Sequence, residues 1–278
     1  MCNHNKCQRG SKCVACSLDD YECDCPPWAS GRFCQDLNPQ CDQSLLPWEQ
    51  GLGSRIRYVD IAFDTAWCTT IDRNIFMHVN GVWTYVDGVA HQVTIGESGV
   101  WCINWGSAHI FYRAGVTESN PSGTEWHHDL SGLLWQITSG PAGIIWGLNG
   151  ANELYFRHNS RWNYIRNGLK WVSCGKFGCW AVTTNGFAYF RVGVTASIPA
   201  GVSWVDTGGS FKQLDTGVRG EVYAVDNLGQ VYTREGVSEN SPEGKKWSKF
   251  GNKLFKHISV GDNIVFAVSP EGHDFTLK

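Results

Sequence analysis

Along the chain, short apolar stretches alternate with polar, glycine-rich breaks, and the stretches share one internal pattern. Each centres on an aromatic residue followed by a small one: Ala66-Trp67-Cys68, Val100-Trp101-Cys102, Ile145-Trp146-Gly147, Cys179-Trp180-Ala181, Val222-Tyr223-Ala224 and Val265-Phe266-Ala267. Neighbouring side chains of a strand point to opposite faces, so one face of each sheet carries a ring and the other a small residue. That suits sheets stacked face to face. The aromatic-to-aromatic intervals are 34, 45, 34, 43 and 43 residues, which makes six units. No long window shows a helical period.

Three units carry a second pattern, R-x-G-V-x4-P-x-G-x2-W. It runs from Arg113 to Trp126, from Arg191 to Trp204 and from Arg234 to Trp247. Six matched positions in three copies indicate a repeat architecture. In the other complete units the matching interval is 5 residues instead of 13 (His78 to Trp83, Arg157 to Trp162). The difference is one eight-residue loop, present or absent, and loops tolerate such insertions where strands do not. Each unit reads as four short strands. In unit five these are Phe211–Asp215, Glu221–Val225, Gln230–Arg234 and a last strand around Trp247, punctuated by Gly217, Asn227, Gly229, Gly244 and Gly251. Four strands per repeat of about 40–45 residues describe a propeller blade. Unit six ends after three strands, and Leu46-Pro47-Trp48-Glu49-Gln50-Gly51 resembles its missing outer strand. The expected fold is all-β: a six-bladed β-propeller over residues 42–278, with residues 45–52 closing the last blade so that no sheet edge stays open.

Composition adds a second domain. Seven of the 12 cysteines lie between residues 2 and 34, a density that indicates a disulfide framework and an oxidising compartment. Residues 1–41 are therefore assigned to a small disulfide-rich module, too small to fold on apolar burial alone. Cys16 and Cys41 are a further candidate pair. Cys174 and Cys179 flank a hairpin turn and are placed for a local bridge, whereas Cys68 and Cys102 occupy the same position in adjacent units and are not expected to bond each other. Net charge is −3, which gives no footprint for nucleic acid. No apolar run approaches a membrane span of about 20 residues. No leader is visible, so the chain reads as a mature secreted form behind an initiator Met.

The repeats, with their aromatic-small strands, following Arg, G-V-x4-P-x-G and closing Trp, resemble the tectonin repeat family of animal and fungal lectins over roughly residues 45–278. The Cys23-x-Cys25-x5-Gly31-x2-Cys34 pattern, with Cys2, Cys7 and Cys13, resembles an EGF-like module. The second resemblance implies the pairs Cys2–Cys13, Cys7–Cys23 and Cys25–Cys34. No acidic residue precedes Cys2, so the calcium site of some such modules is not expected. The first implies an extracellular, non-catalytic carbohydrate-binding propeller without cofactor or metal. Its ligands would be glycans such as bacterial lipopolysaccharide or GlcNAc-type sugars, in innate defence or cell-surface recognition. The alternative is a structural or adhesive matrix protein acting through protein contacts, some through the EGF-like module. No Ser/His/Asp order, metal-spaced His cluster or phosphate loop points to an enzyme.

Candidate contacts follow from the eight-residue insertions, which emerge on one face at blades two, four and five. Glu118, Asn120, Ser197, Glu239 and Asn240 offer polar groups for sugar hydroxyls, unless Pro and Gly merely shape the loop. Arg113, Arg191 and Arg234 either meet anionic sugar groups or tie strands together, and the second is favoured. The repeated tryptophans read as core staples. Asn104, Asn149 and Asp226, after each second strand, serve turns or ligands.

Overall fold

The computed structural model describes residues 48–262 and 264–277, and four short strands nearer the N-terminus. Six four-stranded antiparallel sheets follow one another along the chain. Blades 1 to 5 are consecutive meanders, spanning residues 56–89, 92–133, 136–167, 169–210 and 213–254. Blade 6 takes three strands from residues 257–277 and its outermost strand from Glu49–Gln50, which pairs with Phe275 and Thr276. The six-bladed propeller expected from the sequence is thus present, closed by an N-terminal strand. Gly251 departs from its expected turn role. It lies inside the outer strand Lys246–Leu254, at φ +64°, where the register with the third strand slips.

The core is divided among the blade junctions. Among the described residues there are six apolar clusters, one between each pair of neighbouring blades. The aromatic-small pattern explains this. The second-strand ring of one blade docks under the outer-strand tryptophan of the next: Trp67 against Trp126 at 6.2 Å, Trp146 against Trp204 at 6.2 Å, Trp180 against Trp247 at 5.8 Å, all edge-on. Phe266 of blade 6 meets Trp83 of blade 1 in the same way. Trp67, Trp146 and Trp180 are fully buried, and edge-to-face contacts add about 0.5–1.5 kcal/mol each beyond area burial. The small residue on the other face lets the preceding blade approach. Cys68 and Cys102 fill this role as buried free thiols.

The closure is stapled by one carboxylate. Asp274 Oδ1 accepts the Gly53 amide at 2.8 Å, Asp274 Oδ2 accepts the Trp83 indole at 3.0 Å, and its carbonyl accepts the Gly51 amide at 3.0 Å. Blade 6, the N-terminal strand and blade 1 meet there. A Cβ on Gly51 would lie 2.2 Å from the Asp274 carboxylate, so the close approach requires glycine. Trp48 packs on Phe255 at 4.6 Å and Phe250 at 6.4 Å, giving blade 6 the tryptophan its own sequence lacks. In blade 4, Cys174 and Cys179 are register partners joined by a disulfide.

Nearer the N-terminus, Lys12–Ala15 pairs with Tyr21–Asp24, placing Cys13 opposite Cys23 in the register, and Ala29–Ser30 pairs with Asp36–Leu37. The pairs Cys2–Cys13, Cys7–Cys23, Cys25–Cys34 and Cys16–Cys41 lie outside the described residues. No helix among the described residues is long and apolar enough to cross a membrane.

Candidate ligand-binding surfaces

The three long hairpins fold alike. Thr117 and Asn120, Thr195 and Ile198, and Ser238 and Ser241 exchange both backbone hydrogen bonds at 3.1–3.2 Å. The following Pro-x-Gly turns back under the arginine. Arg113 Nε donates to Ser122 O at 2.9 Å, Arg191 Nε to Ala200 O at 2.8 Å and Arg234 Nε to Glu243 O at 2.8 Å. Each guanidinium also lies 5.0–5.3 Å from the centre of the closing tryptophan of its motif. The glycines beneath, Gly123, Gly201 and Gly244, sit at φ +63° to +64°, with a carbonyl 2.5–2.8 Å from where a Cβ would be. The Arg, second Gly and Trp of the motif thus hold the hairpin, while its Val packs into the blade junction. Arg113 and Arg234 are buried, and each reaches the previous blade: Arg113 Nη2 to Asp87 at 2.7 Å, Arg234 Nη1 to Thr207 O at 2.9 Å.

The predicted contact residues divide accordingly. Glu118, Ser197, Glu239 and Asn240 are exposed at the hairpin tips. Asn120 spends its amide on Gly115 O and accepts the Ser122 hydroxyl, and the Ser197 hydroxyl meets Thr195. Asn149 and Asp226 are turn residues. Asn149 Oδ1 accepts the amides of Ala151 and Glu153, and Asp226 Oδ1 those of Leu228 and Gln230. Asn104 accepts the Ser107 hydroxyl at 3.0 Å. His127 and His128 stack on different rings, Tyr112 and Phe111. Among the described residues no group of three or more His, Cys, Asp or Glu side chains is placed to hold a metal ion.

The channel is lined by two rings of side chains that bridge blades. In one, each blade's inner strand offers a polar group to the next blade's amide. Asp60 accepts Ile95 N, Thr94 accepts Ser139 N, Thr138 accepts Cys174 N, Ser173 accepts Thr216 N, Asp215 accepts Val260 N and Ser259 accepts Ile61 N, at 2.7–3.4 Å. The cycle is complete. Ser259 Oγ also lies 2.9 Å from both Asp60 Oδ1 and Asp215 Oδ2. One hydroxyl proton serves only one of them. Burial, then the Asp215 charge, push the Asp60 carboxyl up to about 7, so Asp60 keeps its own proton well above the usual range. Two residues nearer the start of each strand, Gln92, Gln136 and Gln213 bond both backbone groups of the next blade, and Trp171 and His257 each bond a carbonyl. Burial pulls the His257 imidazole down to about 4, which keeps it neutral as the donor to Val59 O.

Beyond that second ring the channel opens on the face opposite the long hairpins, because antiparallel meanders send alternate connections to opposite faces. Sequence reasoning missed this mouth. Trp135 is 48% exposed and packs on His91 at 4.5 Å, and His91 contacts Trp105 at 5.3 Å. Arg57 and Arg73 lie over Trp105 at 4.8 and 4.5 Å, and Tyr58 joins Trp171 and His257 behind them. His91 Nδ1 is buried without a hydrogen-bond partner. The surface combines apolar ring faces, cations and polar edges, which can stack on a sugar ring and bond its hydroxyls.

A family model described as Tectonin domain matches residues 55–270. A tectonin beta-propeller repeat-containing protein 1 of Mus musculus is 30% identical over 145 residues, which are 47% of this chain and 12% of that protein. A fish-egg lectin of Cyprinus carpio is 26% identical over 105 residues, 34% of this chain and 44% of the lectin. The matches thus span less than half the length of either relative. Among solved structures, YCF48 from Cyanidioschyzon merolae superposes with a TM-score of 0.53 at 13% identity, over 81% of this chain and 82% of that one. That likeness is one of fold alone.

Proposed function

Because the chain belongs to the tectonin family, we propose that it is a lectin: a secreted, non-catalytic propeller that binds glycans, with microbial-surface and GlcNAc-type sugars as the first ligands to test. The observation that carries this reading is the aromatic surface left over once the architecture has taken its share. Among the described tryptophans Trp135 alone is exposed, and it stands at an open channel mouth. The similarity to a fish-egg lectin supports the same reading. The hairpin tips, with Glu118, Ser197, Glu239 and Asn240 exposed, form a second candidate surface on the opposite face. Three like hairpins on one face, together with the mouth on the other, would convert weak single contacts into avidity for a polyvalent surface.

Residues 1–41 are proposed to be an EGF-like module, supported by their cysteine density and the two short antiparallel pairings. Its bridges and Cys174–Cys179 fit an oxidising, extracellular setting. A glycan array including bacterial polysaccharides and chitin oligomers tests the lectin reading. Binding that the free sugar competes away is expected. Trp135→Ala then assigns it to the mouth, and Glu118→Ala with Glu239→Ala to the tips. A blank array from folded protein would favour the adhesive reading, with partners held through protein contacts.

A further inference from the structure

One position at the channel mouth recurs once per blade without a residue type common to all six. It is the residue just before the second ring: Arg57, His91, Trp135, Lys170, Lys212 and Lys256 in blades 1 to 6. The equivalence is geometric. His91, Trp135, Lys212 and Lys256 each donate their amide to the last residue of the second strand, and Arg57 and Lys170 stand at the register shift that opens blades 1 and 4. The ring therefore has two arcs. Blades 4, 5, 6 and 1 present four cations, with Arg73 added from the blade 1 turn. Blades 2 and 3 present His91 and Trp135, with Trp105 beside them.

No carboxylate among the described residues pairs directly with the cationic arc. Among the described residues, none of Arg57, Arg73, Lys170, Lys212 and Lys256 forms an ion pair, although Arg55, Arg113, Arg157, Arg219 and Lys246 all do. The Lys212 ammonium donates to Phe255 O, at 3.3 Å. These charges also oppose one another. Burial pulls the Lys256 ammonium down, Glu271 pushes back, and Arg57 and Lys212 pull it down again. Lys170 and Lys212 are held down by burial as well, with Asp226 opposing it at Lys212. Half-buried cations that repel across an open mouth are stabilised by an anion placed between them.

We propose that this mouth is a binding site for an acidic saccharide, its phosphate or sulfate ester held by Arg57, Lys256 and Lys212 and its sugar ring stacked on Trp135. The saccharide half rests on the lectin reading; the anion half does not. An acidic peptide is the less favoured occupant, because the second arc offers ring faces rather than an open strand edge or a row of amides.

Titration calorimetry at fixed ionic strength decides, using N-acetylglucosamine 6-phosphate, N-acetylglucosamine, inorganic phosphate and a hexaglutamate peptide. The sugar phosphate is expected to bind about tenfold or more tighter than the neutral sugar and than phosphate alone. Lys212→Gln with Lys256→Gln should cost about tenfold for the sugar phosphate and leave the neutral sugar unchanged. Lys245→Gln, which removes a cation from the hairpin face, should change neither. Trp135→Ala should weaken the sugar phosphate and spare inorganic phosphate. Melting curves of each variant verify folding. Equal affinity for charged and neutral sugar, or an equal loss in Lys245→Gln, overturns the proposal. Tighter binding of hexaglutamate also overturns it. A blank glycan array with phosphate still bound at the arc would remove the lectin reading and leave the anion site standing.

Discussion

At the scale of single residues, the repeated letters and the ligand-facing ones are different sets. Gly201 is repeated because its left-handed backbone and the Val192 carbonyl, 2.8 Å from a Cβ, exclude other residues. Gly201→Ala is expected to cost about 1–2 kcal/mol from the backbone conformation, and more from the contact, read by denaturant unfolding. Asp60 makes stability depend on pH. Its carboxyl titrates near 7 in the folded protein and near 4 unfolded, so the fold holds a proton that the unfolded chain releases. Its contribution therefore falls as pH rises from about 4 to about 7 and is flat above. His91 and His257, both held down to about 4, act with the opposite sign, losing stability as pH falls below about 6.5. Asp215→Asn removes the neighbouring charge, so the variant's melting temperature relative to the parent should improve from pH 5 to pH 8. A difference independent of pH would refute the coupling.

At the scale of elements, the outer strand of blade 6 is the weak point, being two residues long where its counterparts run seven to nine. Asp274 compensates, with two charged hydrogen bonds of about 1.5–3 kcal/mol each. Asp274→Ala should therefore destabilise by about 3 kcal/mol or more, and faster amide exchange at Gly51 and Gly53 should accompany it. This closure was legible in sequence because Trp48-Glu49-Gln50-Gly51 copies the outer-strand pattern of the other blades. The six units and the eight-residue insertions were legible for the same reason: packing against a neighbour imposes the same letters each time. The cationic arc was not legible. Arg57, His91, Trp135, Lys170, Lys212 and Lys256 share a place but no single residue type, and they stand at the edge of apolar strands, where four cations interrupted by an imidazole and an indole form no repeated letter. For the repeated arginines the sequence favoured a tie between strands over a sugar contact, although a carbonyl and a sugar oxyanion both attract a guanidinium.

At the scale of the molecule, each blade buries its apolar faces only against neighbours, so the ring is the folding unit. Removal of residues 1–44 should leave the propeller intact by melting temperature. Removal of residues 1–52 should take away Trp48 and the fourth strand, expose the Asp274–Leu277 edge and give a lower, aggregation-prone transition by light scattering. Equal behaviour of the two truncations would count against the clasp.

The unbroken cycle of side chain to amide bonds around the channel gives the molecule a boundary condition that linear repeat proteins lack. A solenoid has end repeats with one neighbour each, where fraying begins and from which partial unfolding spreads. Here the sixth blade is bonded to the first as the first is to the second, so the array has no ends. Opening any one junction turns a circle into a line and creates two ends at once. Melting by several repeats at a time is thereby disfavoured, and the blades, modular in sequence, unfold as a single cooperative body.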